Sequence, residues 1–242
     1  MRPSFDPLFV GRQEESARIK AELLAGKNLV LTGRFGIGRT AVLRHLSWEL
    51  RETWAFTFLD GADTPGRMRQ DLFADLFPQR RAALRRGLLA PAAQRRAIAG
   101  DPLTDLRSRA VVLDDIAKVT RQRIDFARWL RSLDRFQVLA VTERFLPEEA
   151  LLRLRTALAP APLLALDHLD SAPAKVFFQA WSEQHGLGWG PEQVHGLVQA
   201  TRGYPLGMRE TAGAFPLAIQ DRDEGMDQPS HCRSPRWPSG PG

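Results

Sequence analysis

Two kinds of apolar run alternate along this chain. Short runs at 28–32, 54–59, 109–113, 136–141 and 162–166 have strand length and few polar interruptions, which predicts strands buried on both faces. Between them, apolar residues recur at three- and four-residue spacing. Ile19, Leu23 and Leu24 mark a helix over 13–24 that stops at Gly26, and Val42, Leu43, Leu46 and Leu50 mark another over 41–50. Helices over 124–133, with Phe126 and Trp129 inward, and over 151–159 complete the series. Strands alternating with helices predict an α/β fold with a mainly parallel sheet between helical layers. After the last strand the pattern is helical only, over about 172–185, 191–201 and 206–215, which predicts a small helical subdomain. The expected division is a core over 1–166, a helical lid over 167–219 and a disordered, Pro/Gly/Ser-rich tail over 220–242. Residues 63–100 read as helical pieces broken by Pro65, Pro78, Gly87 and Pro91, and their many arginines suggest a surface hairpin rather than a core element.

The first strand and the 41–50 helix are joined by Gly33-Arg34-Phe35-Gly36-Ile37-Gly38-Arg39-Thr40, which fits the phosphate-binding pattern G-x-x-x-x-G-K-[ST] except that Arg39 replaces lysine. Glycines at Gly33, Gly36 and Gly38 let the backbone turn N–H groups inward. The amides of Ile37, Arg39, Thr40 and Ala41, with the helix dipole behind them, then favour a polyphosphate. The Thr40 hydroxyl can ligate Mg²⁺, and Arg39 supplies a cation, though its planar fork is bulkier than a lysine ammonium. The plain alternative is a Gly-rich turn that binds nothing.

Two carboxylates, Asp114 and Asp115, end the apolar run 110–113, at the strand terminus where open α/β sheets place ligands. Behind a phosphate loop, the first acid would hold Mg²⁺ and the second would orient or deprotonate water; alone, such a pair caps a helix or a turn. The run 136–141 ends in Thr142-Glu143-Arg144, where Thr142 could sense a terminal phosphate by hydrogen bonding and Arg144 by charge; alternatively Arg144 is a solvated loop residue. His168, His185 and His195 lack zinc-ligand spacing and suit capping or solvent-facing roles.

Composition narrows the setting. A chain of 242 residues can bury a sizeable core unaided, and its one cysteine, Cys232, excludes an internal disulfide framework. The lack of a membrane-length apolar run or signal-peptide core leads us to expect a soluble cytoplasmic protein. The formal charge of +6 is uneven: residues 67–131 hold 15 basic and 7 acidic side chains. Such a segment suits nucleic acid, or simply faces water in a chain with 30 arginines and 4 lysines.

In order along the chain, FVGRQEE, GRFGIGRT, VVLDD, LAVTER, LLALDHLDSAPAKVFF and GYP resemble the successive motifs of P-loop ATPase domains of the AAA+ and STAND group, including the archaeal-type ATPase and NB-ARC-like families. The resemblance covers about residues 9–215. It implies a P-loop NTPase sandwich with a helical lid, ATP or ADP bound with Mg²⁺ between them, and a self-oligomer or another protein as partner. It further implies that Val10, Gly11 and Arg12 lie over the adenine, that Pro205 packs near it, that Thr40 and Asp114 hold Mg²⁺, and that Asp115 and Arg144 serve catalysis. Arg39 departs from the pattern and puts turnover in doubt. Some relatives serve replication or transposition, so a DNA-associated ATPase and a catalytically silent nucleotide scaffold stand beside the switch reading.

Overall fold

The computed structural model describes residues 6–103 and 105–224, with side chains through residue 215. In chain order the elements are α1 (Gln13–Leu24), β1 (Leu29–Gly33), α2 (Arg39–Glu49), β2 (Trp54–Asp60), α3 (Pro65–Leu76), α4 (Arg81–Arg85), α5 (Pro91–Gly100), β3 (Ser108–Ile116), α6 (Arg121–Ser132), β4 (Gln137–Glu143), α7 (Glu148–Leu158), β5 (Leu163–Leu166), α8 (Ser171–His185), α9 (Pro191–Thr201) and α10 (Pro205–Glu224). The five strands form one parallel sheet in the order β2-β3-β4-β1-β5. After β1 the chain crosses to the far edge and works back, so β1 lies between β4 and β5 and the strand order reverses beside it. Such a switch point opens a crevice at the carboxyl ends of the strands.

Strand alternation divides the apolar residues between two layers. Leu29, Leu31, Val112, Leu139 and Val141 pack with α1 and α2 on one face. Val30, Val111, Leu113, Val138 and Ala140 pack with α3, α5, α6 and α7 on the other. A buried Asn28 ties the layers at the start of β1: its amide donates to the Leu158 carbonyl at 2.7 Å and its oxygen accepts from the Val138 N–H at 2.7 Å.

The arginine-rich 63–100 region is not a surface hairpin. Met68, Leu72, Phe73 and Leu76 of α3, with Ala97 and Ile98 of α5, are buried in the main core. Each large apolar side chain there contributes roughly 1.5–3 kcal/mol of burial free energy. The arginines occupy the outer stripe of amphipathic helices whose inner stripe covers β2 and β3.

The lid, α8 to α10, has its own core of Phe177, Phe178, Val194, Leu197 and Met208, against which Leu8 and Val10 pack. Helix α10 continues to Glu224, past the expected start of the tail; residues 225–242, including Cys232, lie outside the described residues. No described helix is long and apolar enough to cross a membrane.

Candidate functional site

Strand β1 delivers the chain to a loop whose turns require glycine. Gly36 has φ +71° and Gly38 φ +95°, backbone conformations costly for any residue with a Cβ. Gly38 caps α2, and the first helical bond runs from the Val42 N–H to the Gly38 carbonyl at 3.0 Å. The N–H groups of Arg39, Thr40 and Ala41 therefore have no intrahelical partner and aim, with the positive end of the helix dipole, out of the helix start. A cavity of about 420 Å³ opens there, floored by Gly36 to Ala41 and walled by Phe9 and Val10 on one side and Phe177, Pro205 and Met208 of the lid on another. That volume lies within the ordinary range for a small-molecule site.

An acidic wall faces the start of α2. Leu113 pairs with Ala140 but Ile116 with Thr142, so β3 carries one residue more than β4 across this interval. Neighbouring strand residues normally point to opposite faces. The bulge, with Asp115 at φ +56°, brings both acids to the same end of the site. Asp114 accepts a hydrogen bond from the Thr40 hydroxyl at 2.9 Å. Its pKa is raised above the ordinary carboxylate value chiefly because burial disfavours the charge, an effect partly offset by the Thr40 hydrogen bond. Asp115 lines the cavity.

Arg39 is folded into this wall. Its side chain is only 7% exposed, and Nη2 lies 3.4 Å from a Glu143 carboxylate oxygen and 3.8 Å from one of Asp115. Nη1 is buried and has no hydrogen-bond partner among the described residues, although Arg39 lines the cavity. An unpaired buried donor costs about 1–3 kcal/mol, which an anionic oxygen in the cavity would recover.

The outer side of the loop is held by the rest of the fold. Arg12, itself buried, donates from Nη2 to the carbonyls of Ile37, at 3.1 Å, and Asp167, while Nη1 pairs with Glu15 at 2.6 Å. The Tyr204 hydroxyl donates to the Phe35 carbonyl at 2.6 Å, and the Leu206 N–H to the Gly36 carbonyl at 3.1 Å. Gly36 has no room for a side chain, since a Cβ there would lie 2.6 Å from both Leu206 and the Tyr204 hydroxyl.

The structure thus brings Val10, Arg12, Gly36, Ile37, Gly38, Arg39, Thr40, Ala41, Asp115 and Pro205 to one cavity, with Asp114 bonded to Thr40 and Gly33 leading into the loop. Gly11 packs against Leu169 and Pro173 instead of lining the cavity. Thr142 is fully buried and its hydroxyl has no partner among the described residues. By strand alternation it shares the face of Val138 and Ala140, away from α2, so it does not reach the cavity. Arg144 is half-exposed and pairs with Asp167 at 2.9 Å, outside the cavity lining. Glu143 is the residue that motif reading passed over; alternation from Leu139 and Val141 puts it on the α2 face, and that signal was available in the sequence. His168, His185 and His195 make local contacts, to the Arg202 and Trp181 carbonyls and to Gln199. Among the described residues no group of three or more His, Cys, Asp or Glu side chains could hold a metal ion. The Thr40 hydroxyl and Asp114 carboxylate nevertheless supply the hard oxygen donors that Mg²⁺ takes when phosphates provide further ligands.

Neither a protein-family model nor a curated protein matches this sequence. Solved structures do resemble the fold. An Orc1 protein of Aeropyrum pernix, solved in complex with DNA, superposes with a TM-score of 0.64 at 14% identity, covering 89% of this chain and 62% of that one. A Walker-type ATPase of Pyrococcus abyssi gives 0.60 at 13% identity over 94% of this chain and 79% of its own. A STAND protein with a tetratricopeptide repeat sensor from Pyrococcus horikoshii gives 0.55 at 17% identity over 94% and 34%. The chain therefore spans less than two thirds of the Orc1 protein and about a third of the STAND protein. The shared architecture is an α/β fold of the P-loop NTPase type.

Proposed function

We propose that this P-loop chain binds ATP or ADP with Mg²⁺ in the cavity between sheet and lid, and acts as a nucleotide-dependent switch with slow hydrolysis. The observation that carries the reading is Arg39: a buried guanidinium with an unpaired Nη1, at the start of α2, lining a cavity floored by the Gly36–Gly38 turn. A phosphate oxygen satisfies that donor and the N–H groups of Arg39, Thr40 and Ala41 together. The apolar walls at Phe9, Val10, Phe177 and Pro205 suit an adenine ring. Thr40 and Asp114 would hold Mg²⁺, which when bound supplies charge neutralisation to the phosphates. Asp115 orients water, and Arg144 reports the terminal phosphate once it leaves Asp167. Thr142 has no part in this reading.

Slow turnover follows from the same contacts. Arg39 lies near Asp115 and so restrains the carboxylate that would orient water, and its fork differs in shape from the usual lysine. A silent scaffold is the limiting case. The test is calorimetric titration of Mg·ADP into wild type and Arg39→Ala: the reading requires binding that the substitution weakens at least ten-fold, and equal affinity would remove Arg39 from the site.

A DNA-associated role is favoured by one further observation. Arg85, Arg86, Arg96 and Arg131 are exposed, and their side chains make no hydrogen bond or ion pair with described residues. Duplex binding that weakens steeply with salt would support this role, and no binding at low salt would remove it. The protein partner or self-oligomer that reads lid movement, and a cytoplasmic location, belong to the same proposal.

A further inference from the structure

Three successive carbonyls of the phosphate loop, Phe35, Gly36 and Ile37, each accept a hydrogen bond from outside the loop: the Tyr204 hydroxyl at 2.6 Å, the Leu206 N–H at 3.1 Å and Arg12 Nη2 at 3.1 Å. A trans peptide is planar, with its C=O and the following N–H pointing in opposite directions. Holding a carbonyl outward therefore turns the next N–H inward. The Gly36 carbonyl sets the Ile37 N–H, which is spent on the Arg34 carbonyl at 3.2 Å. The Phe35 carbonyl sets the Gly36 N–H and the Ile37 carbonyl sets the Gly38 N–H, and both residues line the cavity.

We propose that Tyr204 is a positioning residue for phosphate binding, aiming the Gly36 amide into the cavity from the lid, while Arg12 does the same for the Gly38 amide from the N-terminal segment. This inference rests on the nucleotide reading and deepens it. The lid completes the phosphate nest: glycine peptides rotate freely, and the Tyr204 and Leu206 bonds fix the Phe35 and Gly36 carbonyls from the lid while Arg12 fixes that of Ile37. Tyr204 is suited to the task because its ring is partly buried against the sheet core and held at 5.6 Å from the His168 ring, so its hydroxyl is fixed in place. A lid that swings away takes these two bonds with it and releases the loop's peptides. Phosphate affinity and lid position are thereby one equilibrium.

The test compares wild type with Tyr204→Phe, which keeps the ring and loses only the hydroxyl. Mg·pyrophosphate and Mg·ADP are titrated calorimetrically, and Gly36 and Gly38 amide shifts are followed by ¹⁵N-edited NMR. The expected result is a loss of about five-fold in affinity for both ligands, the effect of one neutral hydrogen bond. The pyrophosphate-induced Gly36 shift should shrink while the Gly38 shift is retained, and the melting temperature should fall by no more than the few degrees that one lost hydrogen bond explains. A merely structural role would lower the melting temperature while leaving affinity and both shifts as in wild type. Unchanged affinity and unchanged Gly36 shift in a variant of a binding-competent wild type would overturn the inference alone. A wild type that binds neither pyrophosphate nor ADP would overturn the nucleotide reading and this inference with it.

Discussion

Removing the Glu143 charge should tighten nucleotide binding. Glu143 is the closer of the two acids near Arg39, at 3.4 Å from Nη2, so an anion that binds at the free Nη1 shares the guanidinium charge with this carboxylate. Two unit charges at that distance attract by about 5 kcal/mol at an effective dielectric of ~20. Glu143 is 29% exposed, so solvent screening reduces what is given up. Together with the desolvation already paid by Arg39, this leaves about 1–2 kcal/mol, or roughly five- to thirty-fold in affinity. Glu143→Gln abolishes that competition and relieves repulsion between the carboxylate and the incoming phosphates. Calorimetric titration with ATP and ADP, each with and without Mg²⁺, should therefore show tighter binding in the variant. The gain should be largest for ATP without Mg²⁺, the most highly charged ligand. Equal or weaker affinity would refute the reasoning and recast Glu143 as a residue that presents Arg39 to phosphate.

Further outcomes follow from the same geometry. Arg39→Lys should raise the rate of phosphate release while leaving ADP affinity within a few-fold, because it removes Nη2, the one nitrogen that lies near both Asp115 and Glu143, and keeps the charge; an unchanged negligible rate would favour the scaffold. Asp114→Asn should raise the melting temperature at neutral pH, since burial raises the Asp114 pKa and makes its ionised form costly. The native state holds that proton more tightly than the unfolded chain, so its contribution is fully present below the ordinary value of 3.8 and is lost as pH rises through the raised native value. The gap between wild type and variant should close as pH falls toward 3.8, and a pH-independent gap would contradict this. Gly36→Ala should cost roughly 2 kcal/mol or more, from the left-handed backbone and the Cβ contact with Leu206 and Tyr204, and should abolish ADP binding; denaturant melts and titration check both parts.

The sheet and its flanking helices were legible because their cues are local. Apolar runs of strand length and three-four spacing place β2 and α1 within a residue of their observed ends. In the α3–α5 region, frequent arginines mask the apolar stripe Met68, Leu72, Phe73 and Leu76, which is what places these helices on the core. At the site, the glycine turns and the Thr40–Asp114 pair follow from motif chemistry. The β3 bulge does not, since nothing in Asp114-Asp115 announces the extra residue that brings both acids to one end. The Thr142 and Glu143 assignments show motif position and strand alternation in conflict, with alternation deciding which side chain faces α2. The lid contacts through Tyr204 span 169 residues of sequence and rest on tertiary placement that no local pattern encodes.

The central claim is that the cavity over Arg39 is a nucleotide site. Its most direct test is calorimetric titration of the full chain with Mg·ATP and Mg·ADP, with phosphate release followed on the same sample. A nucleotide site there requires saturable binding of one nucleotide per chain and slow phosphate release that Asp115→Asn abolishes. Absence of heat and of protection by either nucleotide would contradict it, leaving a P-loop fold whose buried arginine answers only to its own carboxylates.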